Sequence, residues 1–266
     1  MKNKILASLL TLGMASLIGA CDSDSLTSGH QAVDQGSASL EASARGASAA
    51  ARPATVPPLR EYEVTIENLT GGQPLTPPLV ATHHRRADVF DVGEPASFGV
   101  KEIAENGNLA PLQAALGSND RVSQVVVAAT AAGPLLPGQA VTFTIEGSPE
   151  AKHLSFVSML ICTNDGFTGS DAARLPEQIG RSASMDLNAY DAGTEVNTED
   201  FADMVPPCPV LTGVPSNVPG TGTSDPPLAE GGVIRSHPGI AGIEDLVPSI
   251  HDWTDPVAHI TVTRTR

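Results

Sequence analysis

The sequence predicts an all-β protein, an antiparallel β-sandwich with long loops and one or two short helices. In several short runs, apolar and β-branched residues alternate with polar ones, which is the pattern of half-buried strands. Glycine and proline are frequent, with 25 and 22 residues among 266, so turns are many and the elements between them are short. The helical segments are too short to cover a parallel sheet, which favours antiparallel pairing.

Five runs carry the strand pattern and two segments carry a helical pattern. Residues 133–138 have glycine and proline at both ends, and this predicts that 122–130 pairs antiparallel with 139–147. Between 165 and 255 the chain reads as a series of turns, which predicts long functional loops. The predicted strands are 62–69, 122–130, 140–146, 154–162 and 257–264, and the predicted helices are 95–105 and 111–116.

The first twenty residues, 1–20, have the layout of a secretory signal peptide. Lys2 and Lys4 come first, then an apolar run, then small residues and Cys21. The end of this segment resembles the bacterial lipobox, in which the cysteine becomes the lipidated first residue. The alternative is ordinary cleavage that leaves Cys21 free. A lipid on Cys21 would anchor the chain to a membrane of the bacterial cell envelope, in the periplasm or at the cell surface.

Residues 21–58 are predicted to be a flexible linker behind the lipidated cysteine. They are rich in serine, alanine and glycine and contain no aromatic residue, so they cannot bury a core. The folded domain is therefore predicted over 59–266. In an oxidising compartment a disulfide between Cys162 and Cys208 is permitted, and the alternative is that Cys162 is a buried free thiol.

Charge and motifs exclude several classes of function. The chain has 15 Lys and Arg against 30 Asp and Glu, a net charge of −15, which argues against a nucleic-acid partner. It contains no G-x-S-x-G elbow, no H-E-x-x-H motif and no P-loop. The histidines are scattered, and the adjacent His83 and His84 would point to opposite faces of a strand. The sequence therefore predicts a protein that is not an enzyme.

Two acidic segments punctuated by glycine stand out, at 163–169 and 186–195. Calcium takes six to eight oxygen ligands, and loops with glycine let backbone carbonyls turn toward the ion. Asp165, Asp191 and Glu195 could supply the carboxylates of such a shell. The alternative is an Asx turn and a solvated loop without an ion, and neither segment matches the EF-hand pattern.

Five motifs distributed over about 60–266 form a recognisable set. They are Y-x-V-x-I-x-N-L-T at 62–70, L-x-P-P at 75–78, N-D-G-F-x-G at 164–169, Y-D-A-G-T-E at 190–195 and W-x-x-P at 253–256. Together they resemble the spondin N-terminal domain, which is familiar from F-spondin extracellular matrix proteins and from bacterial lipoproteins. The Asp-Ala-Gly-Thr-acid segment is the most specific of them.

The resemblance implies an antiparallel β-sandwich, similar to the calcium-dependent membrane-binding sandwiches, with one calcium ion held by acidic loops. By motif, Asp165 matches the acid of the first loop, Asp191 the acid that opens the Asp-Ala-Gly-Thr segment, and Glu195 the acid that closes it. The chain departs from the animal pattern in two places: Gly166 stands between the first acid and the aromatic residue, and the last acid is a glutamate.

These observations predict a calcium-binding, non-catalytic binding or adhesion module anchored to the cell envelope. Its partner would be an extracellular or periplasmic protein or glycan that the sequence does not identify, and its membrane contact would be the lipid anchor. One alternative is a calcium-dependent lipid- or glycan-binding protein. Another is an envelope hydrolase that uses Asp165 or Asp191 with a neighbouring histidine.

Overall fold

The structure is a computed structural model that describes residues 57–128, 130–131 and 133–266. The predicted signal peptide, Cys21 and nearly all of the predicted linker lie outside the described residues. Within the part that is described, no helix has both the length and the apolar character needed to cross a membrane. The elements are β1 (Arg60–Asn68), β2 (Leu79–His83), α1 (Phe98–Asn106), α2 (Ala110–Gly117), β3 (Val122–Val127), β4 (Ala140–Gly147), β5 (His153–Met159), β6 (Gly166–Arg174), β7 (Ser182–Leu187), β8 (Ala189–Asp191), α3 (Pro207–Thr212), β9 (Arg235–Ser236), α4 (Pro248–His251) and β10 (Ala258–Arg264).

Two antiparallel sheets form a sandwich, which confirms the predicted fold class. One sheet has the strand order β4-β1-β10-β7 and the other the order β3-β2-β5-β6-β8-β9. In β1 the alternate residues Tyr62, Val64 and Ile66 are fully buried between the sheets, as the period-two pattern predicts.

The central strands of the six-stranded sheet are buried on both faces. Val80 of β2 packs into the core between the sheets, whereas its neighbours Leu79 and Ala81 pack into a second core on the outer face. Val100 and Ile103 of α1 fill that second core together with residues of the long segment after β8. Helices and loops therefore form a third layer that covers the central strands.

The predicted hairpin between 122–130 and 139–147 is wrong. β3 pairs with β2 in the six-stranded sheet, whereas β4 pairs with β1 in the other sheet. The connection between them crosses from one sheet to the other, because Leu135 is fully buried in the core between the sheets and forms a bridge with Leu75. The glycine and proline residues indicate a turn, but they do not show that the chain passes to the other sheet. Burial of Leu135 holds the connection in that position.

The region after residue 159 contains more regular structure than the sequence predicts. The predicted strand 154–162 ends at Met159, and β6 begins at Gly166 where a loop was expected. Strand β7 also lies in the region predicted to consist of turns, whereas the ends of α1 and α2 lie within three residues of those of the predicted helices.

A buried serine joins three strands at one end of the six-stranded sheet. The hydroxyl oxygen of Ser155 lies 2.7 Å from Nε2 of His83, donates to Oδ1 of Asp171 at 3.0 Å and accepts from the amide of Ala172 at 2.8 Å. His83 is fully buried and His84 is exposed. This network holds the irregular register between β5 and β6.

Replacement of Ser155 by alanine is expected to lower the free energy of unfolding by about 2 kcal/mol, because the buried ring of His83 and two partly buried groups lose their common partner. Urea unfolding of the full chain measures the change. Ser182→Ala is the matched control, since this exposed hydroxyl contacts only the exposed hydroxyl of Thr263 at 2.8 Å. Equal effects of the two substitutions would show that the network adds nothing to stability.

Candidate metal centre in the acidic loops

Asp165 and Asp191 meet at the end of two paired strands. Asp165 ends the turn between β5 and β6, and Asp191 is the last residue of β8. Gly166 pairs with Asp191 in the sheet, and the amide of Ala192 donates to the carbonyl of Asp165 at 3.1 Å. Both side chains are fully buried. Strand pairing therefore brings together two acids that are distant in the sequence.

The Asp165 carboxylate is hydrogen-bonded on one oxygen only. Oδ2 accepts from the amides of Thr194 and Glu195 at 2.7 and 3.1 Å and from the Thr194 hydroxyl at 3.2 Å. Oδ1 is buried and has no hydrogen-bond partner. Burial, followed by the charge of Asp191, raises the pKa of Asp165 to about 6 although the three donors oppose this rise.

The Asp191 carboxylate is more fully satisfied. Oδ1 accepts from the amide of Gly193 at 2.8 Å, and Oδ2 accepts from Asn197 at 2.8 Å and from the guanidinium of Arg235 at 3.2 Å. Gly193 has a φ of 68°, and a Cβ there would stand 2.5 Å from the carbonyl oxygen of Val233, so this position requires glycine. Asp191 therefore already has a cationic partner in the protein.

Glu195 lies next to an acid that the sequence analysis missed. Glu195 is buried and accepts one long hydrogen bond, from the amide of Asp225 at 3.4 Å. Burial raises its pKa to about 8, and the charge of Glu105 is the next cause. Glu105 belongs to α1 and is 3% exposed. Its Oε2 accepts from Ser224, and its Oε1 has no hydrogen-bond partner although Nζ of Lys101 lies 3.2 Å away.

We call these four buried acids the acidic cluster: Asp165, Asp191, Glu195 and Glu105. Among the described residues, three ligand atoms come within 4.8 Å of one another only at Cys162, Cys208 and His251, and there the two cysteines are disulfide-bonded. One oxygen from each of three cluster acids does not meet that distance. The structure thus gathers the predicted acids in one place without closing them into a tight shell.

Two side chains build the loops around the cluster. Oδ1 of Asn164 accepts from the amides of Thr198 and Glu199 at 3.1 and 3.3 Å. The buried carboxylate of Glu199 accepts from the three consecutive amides of 241–243 at 2.6, 2.6 and 2.9 Å. These bonds tie the Asp165 turn to the segment after Glu195 and that segment to a later loop.

Cys162 and Cys208 are joined in a disulfide with an S–S distance of 2.08 Å. Cys162 lies three residues before Asp165, and Cys208 lies in α3. The side chain of Gln73 also holds the backbone of Cys162, because it donates to the carbonyl and accepts from the amide, both at 3.0 Å. The disulfide therefore connects the Asp165 turn to α3.

The donor set of the cluster fits a hard divalent cation. Calcium prefers carboxylate oxygens, and two buried carboxylate oxygens here, Asp165 Oδ1 and Glu105 Oε1, have no hydrogen-bond partner. An acid–base pair fits less well: within the described residues neither Asp165 nor Asp191 hydrogen-bonds to a histidine. Burial lowers the pKa of the nearby His237 to about 4, although the charge of Asp191 opposes this shift.

Comparison with known proteins gives one family. A sequence model of the family described as Spondin_N matches residues 73–206, which is 134 of the 266 residues and includes all four acids of the cluster. A search of curated proteins gives no match. The chain belongs to the Spondin_N family.

Proposed function

We propose that this protein is a calcium-binding, non-catalytic module that binds an extracellular or periplasmic partner from a lipid anchor on the bacterial cell envelope. Membership of the Spondin_N family indicates an extracellular binding or adhesion type of module, and this family is generally non-catalytic. Calcium, the anchor at Cys21 and the partner belong to the proposal.

One observation carries the calcium proposal: Asp165 is fully buried beside like charges and leaves Oδ1 without a partner. A buried carboxylate costs free energy unless a cation or hydrogen-bond donors pair with it. Around Asp165 and Glu195, the neighbouring charges that raise the pKa come from other acids, Asp191 and Glu105 respectively. A bound divalent cation supplies positive charge to these oxygens.

In this proposal Asp165 and Glu195 contribute the most available oxygens. Asp191 and Glu105 can also contribute, but each already has a cationic partner at 3.2 Å, Arg235 for Asp191 and Lys101 for Glu105. Backbone donors orient the carboxylates, since the amides of Thr194 and Glu195 hold Oδ2 of Asp165 and leave Oδ1 free. Binding has to draw the acids closer together, because three of their oxygens do not lie within 4.8 Å of one another.

Calorimetric titration of the full chain with calcium chloride tests this function. We expect a single binding event, and Asp165→Asn and Glu105→Gln are each expected to weaken it about tenfold or more, since each removes one anionic ligand. Glu102→Gln is the control on the same helix, because this side chain bonds to Asn108 at 2.8 Å outside the cluster.

The same proteins, assayed on immobilised matrix proteins and glycans with calcium and with chelator, test the binding role. Binding that calcium promotes and Asp165→Asn reduces supports the proposal. The absence of any calcium heat would remove the metal from it, and an unchanged affinity in both cluster variants would place the ion elsewhere.

A further inference from the structure

Basic side chains surround a groove at one end of the six-stranded sheet. The groove has a volume of about 510 Å³ and adjoins a second depression of about 300 Å³, and His84 and Glu150 line both. Three neighbouring strands of the sheet contribute residues to this groove or flank it, since His83 of β2 pairs with Val122 of β3 on one side and with His153 of β5 on the other. We call this surface the basic groove and define its cationic and imidazole members as His84, Arg85, Arg86, Arg121, Lys152 and His153.

Within the part of the chain that the structure describes, the Lys and Arg residues of the basic groove make no salt bridge. Eleven Lys and Arg residues belong to the described part of the chain, and four of them, Lys101, Arg174, Arg235 and Arg266, make salt bridges. Of the seven others in that part, four lie in the groove: Arg85, Arg86, Arg121 and Lys152. Two acids, Asp120 and Glu150, also line the groove, so its four Lys and Arg residues leave a local excess of positive charge in a chain with a net charge of −15.

The groove also offers neutral donors and acceptors. Nδ1 of His84 accepts from the amide of Arg86 at 3.3 Å, which leaves Nε2 as a donor toward solvent in the neutral ring. Ser123 and Ser148 add neutral hydroxyls to the same groove, and the carboxylates of Asp120 and Glu150 add acceptors for sugar hydroxyls. The groove thus combines cations that recognise oxyanions with groups that hydrogen-bond to hydroxyls.

We infer that the basic groove binds an acidic polysaccharide, through the carboxylate, sulfate or phosphate groups and the hydroxyls of its sugars. A membrane surface fits less well, because none of the exposed large hydrophobic side chains of the described residues lines the groove and its shape is concave. A nucleic acid fits poorly, since the overall charge is strongly negative and the groove has no Phe, Tyr or Trp for base stacking.

This inference rests on the proposal that the domain is a binding module, but it does not depend on calcium. The strands β5 and β6 run between the groove and the acidic cluster: His153 begins β5, and the Asp165 turn follows its other end. Seven residues of strand separate the two sites by about 20 Å. At that distance, screening by salt keeps the two sites electrostatically independent.

Binding of the full chain to heparin and hyaluronate, measured in EDTA at about 0.1 M salt, where the Debye length is about 10 Å, tests the inference. We expect both acidic polymers to bind, neutral dextran not to bind, and Arg86→Glu/Arg121→Glu to weaken binding about tenfold or more, since each reversal removes a charge-assisted contact. Added salt should weaken binding further. No side-chain hydrogen bond or salt bridge of either arginine holds the fold in the described residues, so this variant is expected to fold.

Arg60→Glu/Arg181→Glu is the matched control, with the same change of charge at residues outside the groove and without salt bridges in the described chain. Equal losses in both double variants would reduce the effect to net charge and overturn the inference. Binding only to vesicles of phosphatidylglycerol, and not to either polysaccharide, would assign the groove to a membrane and also overturn it. Because EDTA is present throughout, failure of the calcium proposal would leave the expected result unchanged.

Discussion

Calcium at 100 times its dissociation constant is expected to raise the midpoint of thermal unfolding of the full chain by about 5–10 °C. A ligand that binds only the folded state at this concentration adds about 2.7 kcal/mol to the free energy of unfolding. We expect the gain to originate in the acidic cluster, where Oδ1 of Asp165 is buried without a hydrogen-bond partner. Differential scanning calorimetry with calcium and with EDTA measures it.

The size of this shift should depend on pH. In EDTA, the raised pKa values of Asp165, about 6, and Glu195, about 8, mean that the folded state retains protons that the unfolded state releases near pH 4 to 4.5. The free energy of unfolding in EDTA should therefore fall as the pH rises from about 4 to 8 and become level above 8. Calcium displaces those protons, so its affinity and its effect on the midpoint should increase over the same range.

Asp165→Asn should remove most of the calcium effect and make the fall in the free energy of unfolding between about pH 4 and 6 less steep, because the amide carries no charge at any pH. The contribution of Glu195, up to about pH 8, should remain. Asp120→Asn is the matched control, since Asp120 is exposed and lines the basic groove at the other end of the sheet. A full calcium shift in Asp165→Asn would separate the ion from the cluster. No shift in the native chain would mean that the acids are stabilised without an ion.

The sequence predicts those parts of the fold whose side chains alternate. In β1 and β10, apolar residues alternate with polar ones, which predicts a strand, and the burial of their side chains follows the same period of two. β6 was not predicted, because Gly166 and Gly169 give it the composition of a loop. The pairing with β5 requires that composition: a Cβ at Gly169 would lie 2.3 Å from the carbonyl oxygen of Phe156. A close approach of two backbones is invisible to a pattern of hydrophobicity.

The acidic cluster is predictable from the sequence only in part, because one of its four acids joins it through tertiary packing. Asp165, Asp191 and Glu195 carry motifs, and strand pairing brings the first two together. Glu105 lies 90 positions before Glu195, and only packing of α1 on the sheet places it there. A signal did exist, because Glu105 follows directly after the apolar pair Ile103 and Ala104 on a helix whose buried face should exclude a charge.

The disulfide has the largest expected effect on stability. Cys162 and Cys208 are separated by 46 residues, and opening a loop of this size is expected to lower the free energy of unfolding by about 4 kcal/mol. The double variant Cys162→Ser/Cys208→Ser should therefore unfold at a midpoint about 10 °C lower in differential scanning calorimetry. Dithiothreitol should lower the midpoint of the native chain and leave the variant unchanged.

The structure also predicts which part of the chain becomes less stable when the disulfide is removed. Gln73 holds both backbone polar groups of Cys162, so the Asp165 turn keeps its position when the disulfide is absent. Cys208 lies in a helix of six residues with no side-chain cap, whose attachment depends more on the disulfide. Hydrogen exchange should therefore quicken in α3 and its flanks, while β5 and β6 remain protected. If β5 and β6 lose protection equally, the disulfide supports the whole sandwich, and calcium affinity should fall with it.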